Sequence, residues 1–130
     1  MAIEAPIITR LLASASVTSL VGQRVSPQLR RQGDSTPAIV YEVSEVIRYD
    51  TMQAAGTLCR LSMRIDCIAD GYADSRDVAA GVRAAVDGQG FTGVLRCAVV
   101  SETTGAAVPD DGQGDAERIT TLTLVAWIQE

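Results

Sequence analysis

Hydrophobic and polar residues alternate most regularly in the stretch TLCRLSMRIDC, residues 57–67. Apolar side chains occupy every odd position from Cys59 to Cys67, and the even positions between them hold Arg60, Ser62, Arg64 and Asp66. Because successive side chains of a strand point to opposite faces of a sheet, this period of two predicts a half-buried β-strand. Its polar face is either the solvated side of a sheet or a subunit interface, and the pattern alone leaves both interpretations open.

Similar patterns predict two helices and three further strands. Ile8, Leu11 and Ala15 follow helical spacing, and Gly22 is placed to end that helix. The predicted elements are a helix ending near residue 21, strands at 38–48 and 57–69, a helix at 72–87, and strands at 93–102 and 118–129. The order α-β-β-α-β-β predicts one α+β domain over residues 1–130, a mostly antiparallel β-sheet of about four strands with two helices packed on one face.

The strand predicted at 38–48 alternates less regularly than the strand at 57–69. Ile39, Tyr41, Val43 and Ile47 are expected to share one side of it, although Glu45 interrupts that side. Glu42 and Glu45 are three residues apart, so regular alternation sends them to opposite faces. Two carboxylates on opposite faces cannot flank one substrate, which argues against a glycosidase-like pair.

Three segments rich in glycine, proline and charge are predicted as loops, at 28–37, 49–56 and 103–117. The last is long for a hairpin connection, and loops of that length are usually functional or disordered. Its acidic stretch PDDGQGDAE lacks the spacing of a calcium-binding EF-hand. The glycine-rich GQGFTG at 88–93 follows a helix and precedes a strand, the reverse of a dinucleotide-binding turn.

Composition narrows the possible functions. The chain has 130 residues and a net charge of −5, and all 11 of its cationic residues are arginine. An acidic chain is a poor general binder of nucleic acid, because neutralising phosphates supplies most non-specific affinity. It lacks a run of apolar residues long enough to span a membrane. An acidic residue precedes its first apolar run, whereas a signal peptide has basic residues at that place. We therefore expect a soluble cytoplasmic protein.

The reactive residues point to no catalytic site. Cys59 and Cys67 lie eight residues apart on one strand, about 26 Å, which is too far for a disulfide or a shared metal. These two thiols and Cys97 are expected to be free and buried in a reducing compartment. Without any histidine, the usual zinc sets and histidine-based triads are excluded. We expect no enzyme activity, no metal and no cofactor.

The order of segments resembles the tail terminator (tail completion) proteins of long-tailed bacteriophages and phage-derived gene transfer agents. The matching segments are LLASASVTSLVGQRVSPQ, STPAIVYEVSEVIRYD, RLSMRIDCIADGYADSRDVAAGVRAAVDG and RITTLTLVAWI, which span nearly the whole chain. Each segment is a loose pattern of apolar and turn residues, and their order and spacing carry the resemblance. One departure is MRIDCIA, where Cys67 stands in place of the larger aromatic residue expected after the aspartate.

The resemblance implies an assembly role without catalysis. Subunits would form a ring, usually a hexamer, on the head-proximal end of the tail tube, in a virion assembled in the host cytoplasm. The ring would stop tube polymerisation and join the neck, or head-completion, protein, and DNA would pass through its lumen without specific binding. The expected subunit-interface residues are Arg60, Arg64, Asp66, Arg30 and Arg31. The expected docking-loop residues are Asp50, Met52, Gln53, Asp110, Asp111 and Asp115.

Two alternatives remain. A head-tail adaptor, or head-closure ring protein of the neck, would share the size, the ring symmetry and the lack of catalysis. A small hydrolase or ligand-binding domain is the alternative from another class, although the chain offers few catalytic residues for it.

Overall fold

The computed structural model describes residues 2–28, 36–49, 58–107 and 117–129. In this part of the chain, three helices pack on one face of a six-stranded sheet. The helices are α1 (Ala5–Ala13), α2 (Ala15–Val21) and α3 (Tyr72–Val86). The strands are β1 (Val25–Pro27), β2 (Ala38–Tyr49), β3 (Leu58–Ala69), β4 (Gln89–Phe91), β5 (Val94–Ala107) and β6 (Glu117–Gln129).

The predicted count of about four strands and two helices is wrong, since the described residues form six strands and three helices. The N-terminal helix is broken at Ser14, whose backbone is extended with φ −96° and ψ 121°. The Ser14 hydroxyl donates a 2.7 Å hydrogen bond to the carbonyl of Arg10, a local bond that competes with helix continuation. The two additional strands, β1 and β4, have three residues each, and alternation cannot be recognised over so short a length.

The strand order across the sheet is β1-β2-β3-β6-β5-β4. The short β1 pairs with β2 in parallel, and the other four neighbouring pairs are antiparallel. Both short strands therefore lie at the edges, while β3 and β6 are central. Strand β3 pairs with β6 along its whole length and, on its other side, with β2 over all but its last residue.

Burial alternates along β3 as its sequence predicts. Leu61, Met63 and Ile65 are fully buried, whereas the intervening polar side chains are partly or fully exposed. The buried residues meet Leu122 and Leu124 of β6 and the apolar stripes of the three helices in one core. The helices therefore cover the inner face of the sheet, and the polar side chains of β3 lie on the opposite face, which we call the outer face.

Strand β2 does not keep a regular alternation, because its register against β3 shifts between Val43 and Glu45. Such a β-bulge adds one residue to a strand and reverses the facing of every residue beyond it. Glu42 lies opposite Arg64 and Glu45 opposite Ser62, so both carboxylates are on the outer face. The prediction that they point to opposite faces is wrong.

The bulge also moves the apolar residues of β2. Ile47 lies opposite Arg60 on the outer face, whereas Val46 lies opposite Leu61 and packs against the core. The prediction that Ile47 shares the side of Ile39 and Tyr41 is therefore also wrong. The interruption at Glu45 in the sequence coincides with the bulge.

The hairpin between β5 and β6 is longer than predicted. Strand β5 continues to Ala107, so residues 103–107, which were expected in a loop, pair with β6 instead. This segment is TTGAA, whose small and polar residues resemble a loop by composition. The pairing depends on the partner strand, which composition does not reveal.

Polar contacts tie the helices to one another and to the sheet. Arg10 of α1 donates to the carbonyl of Ala85 and to Gln89 Oε1, each at 3.0 Å. Arg76 and Arg83 of α3 both form ion pairs with Glu102 of β5, at 3.0 and 3.1 Å.

In the described residues, no helix is long and apolar enough to cross a membrane.

Candidate assembly surface

The outer face carries the sequence-predicted residues of β3. Arg60, Arg64 and Asp66 all lie on this face, as the alternation predicts. Arg64 is opposite Glu42 of β2 and Thr123 of β6, and Arg60 is opposite Trp127 of β6. The face has a polar half around Arg64 and a half that is largely apolar around Trp127.

The polar half is a chain of contacts across three strands. The Arg64 guanidinium lies 2.8 Å from Glu42 Oε2 and 3.4 Å from Asp66 Oδ2. Asp66 also accepts a 2.8 Å hydrogen bond from the Thr121 hydroxyl on β6. Arg64 and Asp66 therefore already have partners within their own chain.

The ion pair between Arg64 and Glu42 contributes little to stability. The side chains of Arg64 and Glu42 are 47% and 46% exposed, and ion pairs at such sites are worth about 0–1 kcal/mol. A shallow pocket of about 390 Å³ adjoins Asp66, lined also by Thr103, Gly105 and Thr121. It has no enclosed apolar wall, so it lacks the environment of a catalytic carboxylate.

The other half of the outer face exposes aromatic and aliphatic side chains. Tyr49 stacks on Trp127, with ring centroids 5.9 Å apart and the ring planes inclined by 28°. Val100, at the bulge of β5, is 58% exposed, and Tyr49 is 40% exposed. We define the Trp127 patch as Tyr49, Arg60, Arg96, Ala98, Val100, Val125 and Trp127. All of these except Tyr49 line a shallow pocket of about 380 Å³.

Two arginines border the Trp127 patch. Arg60 of β3 and Arg96 of β5 both lie opposite Trp127 in the register, one on each side of it. Within residues 2–28, 36–49, 58–107 and 117–129, neither forms an ion pair, whereas Arg64, Arg76 and Arg83 all do. Exposed aromatic side chains with arginines beside them are the composition that protein interfaces favour.

Sequence reasoning found the polar residues of β3 but missed the Trp127 patch. The signal was in β6, where Val125, Ala126, Trp127 and Ile128 are apolar at both parities. A strand that is apolar at every position is typical of a sheet whose two faces are both covered by other protein. The arginines meet Trp127 only through cross-strand pairing, which the sequence does not give.

The remaining predicted residues lie outside the part of the chain that the structure describes. These are Arg30 and Arg31 from the expected subunit interface and Asp50, Met52, Gln53, Asp110, Asp111 and Asp115 from the expected docking loops. Their assignments stay predictions.

The cysteines are on the inner face, away from the assembly surface. The thiols of Cys59, Cys67 and Cys97 are fully buried, so the predicted burial is confirmed. Burial in apolar surroundings raises the pKa of the Cys67 thiol to about 12, with smaller contributions from Asp66 and Glu102. Burial and the charge of Asp87 raise the pKa of Cys97 to about 11. Thiols held neutral in this way are poor nucleophiles and metal ligands.

Comparisons with known proteins bear on the family and the fold of the chain. The family described as tail completion protein gp17 matches residues 5–128. A search of curated proteins finds no match. Among solved structures, 19 chains match. One is described as "Virion of native gene transfer agent (GTA) particle", with a TM-score of 0.70 and 20% identity over 99% of this chain and 96% of that chain.

The two positive comparisons carry different weight. At 20% identity the structural match establishes a common fold. The family match covers nearly the whole chain, and with it all of the described strands and helices except the last residue of β6. The chain therefore belongs to the tail completion protein gp17 family, and it is a structural component of the virion tail.

Proposed function

We propose that this protein forms a ring on the head-proximal end of the tail tube, ends tube polymerisation there and provides the surface that joins the neck. The observation that carries the proposal is the family match over residues 5–128. The fold shared with a chain of a gene transfer agent virion supports it. Six copies would close such a ring, as the resemblance in sequence implies, and closed rings need one contact repeated head to tail.

The contact between subunits is proposed to lie on the outer face of the sheet. Arg60 is its centre, because it has no ion pair with another described residue and borders an exposed aromatic patch. Arg64 and Asp66 would contribute at the rim, where a neighbour meets an already paired arginine. Arg30 and Arg31 are proposed to extend this contact. The segments with Asp50, Met52 and Gln53 and with Asp110, Asp111 and Asp115 are proposed to dock the tube or neck.

Passage of DNA is compatible with the charge of the chain. With a net charge of −5 per subunit, a ring would repel a polyanion overall, so DNA would cross the lumen without being held. The description of the matched family, tail completion protein, supports this proposal over the head-tail adaptor alternative.

The test is particle assembly in the absence of this chain. We expect tail tubes longer than the normal length and unattached heads, with both defects reversed when the chain is supplied in trans. Electron microscopy of negatively stained particles measures both. Tubes of normal length that fail to join heads would instead indicate the adaptor, and normal particles would refute both roles.

A further inference from the structure

The two arginines of the Trp127 patch form no ion pair with another described residue. Arg60 and Arg96 flank Trp127 on neighbouring strands, so their Cα atoms are about 10 Å apart, twice the strand spacing. A carboxylate placed above Trp127 is within reach of both long side chains. Around this point, Val100, Val125 and Ala98 present apolar surface that a carboxylate alone would not cover.

Helix α3 offers such a partner on the opposite side of the molecule. Its surface away from the core exposes Asp77, with Ala73 and Ala80 one turn before and after it. Within the described part of the chain, Asp77 and the neighbouring Asp74 form no ion pair. Residues 5–21, which contain the other two helices, include no acid at all. Charge complementarity therefore singles out α3 among the described helices.

We propose that the Trp127 patch of one copy binds the exposed face of α3 in a second copy, with Asp77 placed between Arg60 and Arg96. The proposal rests on the ring described under Proposed function and names the two surfaces that would join its subunits. Alanines on either side of Asp77 let the helix approach the sheet closely, so Trp127 and Val125 lose their exposure to water.

The position of the two surfaces suits a ring. The patch lies on the outer face of the sheet, and α3 belongs to the layer that covers the inner face. A contact between two different surfaces of identical subunits is heterologous, and it can repeat from copy to copy until it closes. A patch that bound its own counterpart would bring four arginines together, which like-charge repulsion opposes.

A charge exchange tests the pairing directly. Arg60→Asp and Asp77→Arg are each expected to raise the protein concentration needed for half-assembly by about thirtyfold or more, as loss of a desolvated charge pair would. The double variant restores the pair in reverse, so its assembly should return to within about threefold of the wild type. Sedimentation velocity measures assembly, and circular dichroism checks that each subunit is folded.

Arg118→Asp is the matched control, because Arg118 is an exposed arginine at the far end of β6 from Trp127. It changes the net charge as Arg60→Asp does and should leave assembly unchanged. Single variants that assemble normally would overturn the proposal. If both single variants assemble poorly and the double variant assembles no better, α3 would be overturned as the occupant of the patch. Either result leaves the ring itself to be judged by the tail-length experiment, so failure of this contact is distinguishable from failure of the function.

Discussion

Cys67 and Asp66 are neighbours on β3 with opposite chemical environments. Asp66 faces outwards, where Arg64 and the Thr121 hydroxyl bind its carboxylate. Cys67 faces the core, is fully buried and keeps its proton, with a pKa of about 12. The difference arises because the two side chains point to opposite faces of the sheet, and burial on the inner face disfavours the charged form of a group.

The raised pKa of Cys67 predicts how stability depends on alkaline pH. In the unfolded chain the thiol ionises near pH 9, whereas in the folded protein it stays neutral until about pH 12. Unfolding therefore releases a proton in this range, and the free energy of unfolding falls by about 1.4 kcal/mol per pH unit from this thiol. Denaturant unfolding between pH 9 and pH 10.5 measures the slope.

Cys67→Ala is the control for that experiment. The variant lacks the ionising group. The pH slope of its free energy of unfolding should therefore be less negative than that of the wild type by about 1.4 kcal/mol per pH unit. The slope is compared rather than the stability itself, because the smaller side chain also leaves a cavity. Equal slopes in the two proteins would contradict the assigned pKa.

The contact between α2 and α3 depends on a glycine. A Cβ atom at position 81 would collide with the backbone carbonyl of Ser16, and the Ser16 hydroxyl donates a 3.1 Å hydrogen bond to the carbonyl of Gly81. The two backbones therefore approach more closely than any other residue at position 81 would allow. This explains a glycine inside α3, where it costs helix stability.

Gly81→Ala should lower the free energy of unfolding by about 1–3 kcal/mol. The added methyl group overpacks the contact with Ser16, and this cost exceeds the gain in helix propensity of about 1 kcal/mol. Gly105→Ala is the control, since a Cβ atom at this strand position meets no described atom within 4 Å. It should leave stability unchanged or raise it by up to about 1 kcal/mol. Chemical denaturation of both variants decides, and a neutral Gly81→Ala would refute the close contact.

The sequence predicted the elements whose pattern is local and regular. Strand β3 and helix α3 were placed within one or two residues, because alternation and helical spacing persist along them. The bulge in β2 was missed, since a one-residue insertion is a property of the pairing with β3. Strand β4 was missed, and the extended segment of β1 was not counted as a strand, because three residues gain strand geometry only from a neighbouring strand.

The candidate site was also predicted only in part, because a sequence pattern reveals the facing of residues within one strand but not the contacts between strands. Alternation within β3 was enough to place Arg60, Arg64 and Asp66 on one face. It could not reveal that Arg64 is paired with Glu42, or that Arg60 and Arg96 meet at Trp127, since those contacts join strands far apart in sequence. The outer face, of which the sequence predicted only the polar residues of β3, is therefore half aromatic and aliphatic.

At the scale of the whole molecule, the two layers have different exposed surfaces. The sheet exposes arginines beside aromatic residues, and α3 exposes acids beside alanines. In an isolated subunit both surfaces are in water, which leaves Trp127 and Val100 partly exposed. Association would remove apolar area from water and pair the charges together, so both surfaces favour assembly over the free subunit.

The single tryptophan of the chain allows this association to be followed without a label. Trp127 lies at the centre of the proposed contact and is half-buried in the subunit. As protein concentration rises and subunits associate, the fluorescence emission of Trp127 should shift to shorter wavelength and its quenching by iodide should fall, because its indole group loses contact with water. Both changes should follow the assembly curve from sedimentation, and in Arg60→Asp both should move to higher concentration. An emission maximum that stays constant while the wild type assembles would show that subunits join elsewhere, and the outer face would then be free to meet the tube or the neck.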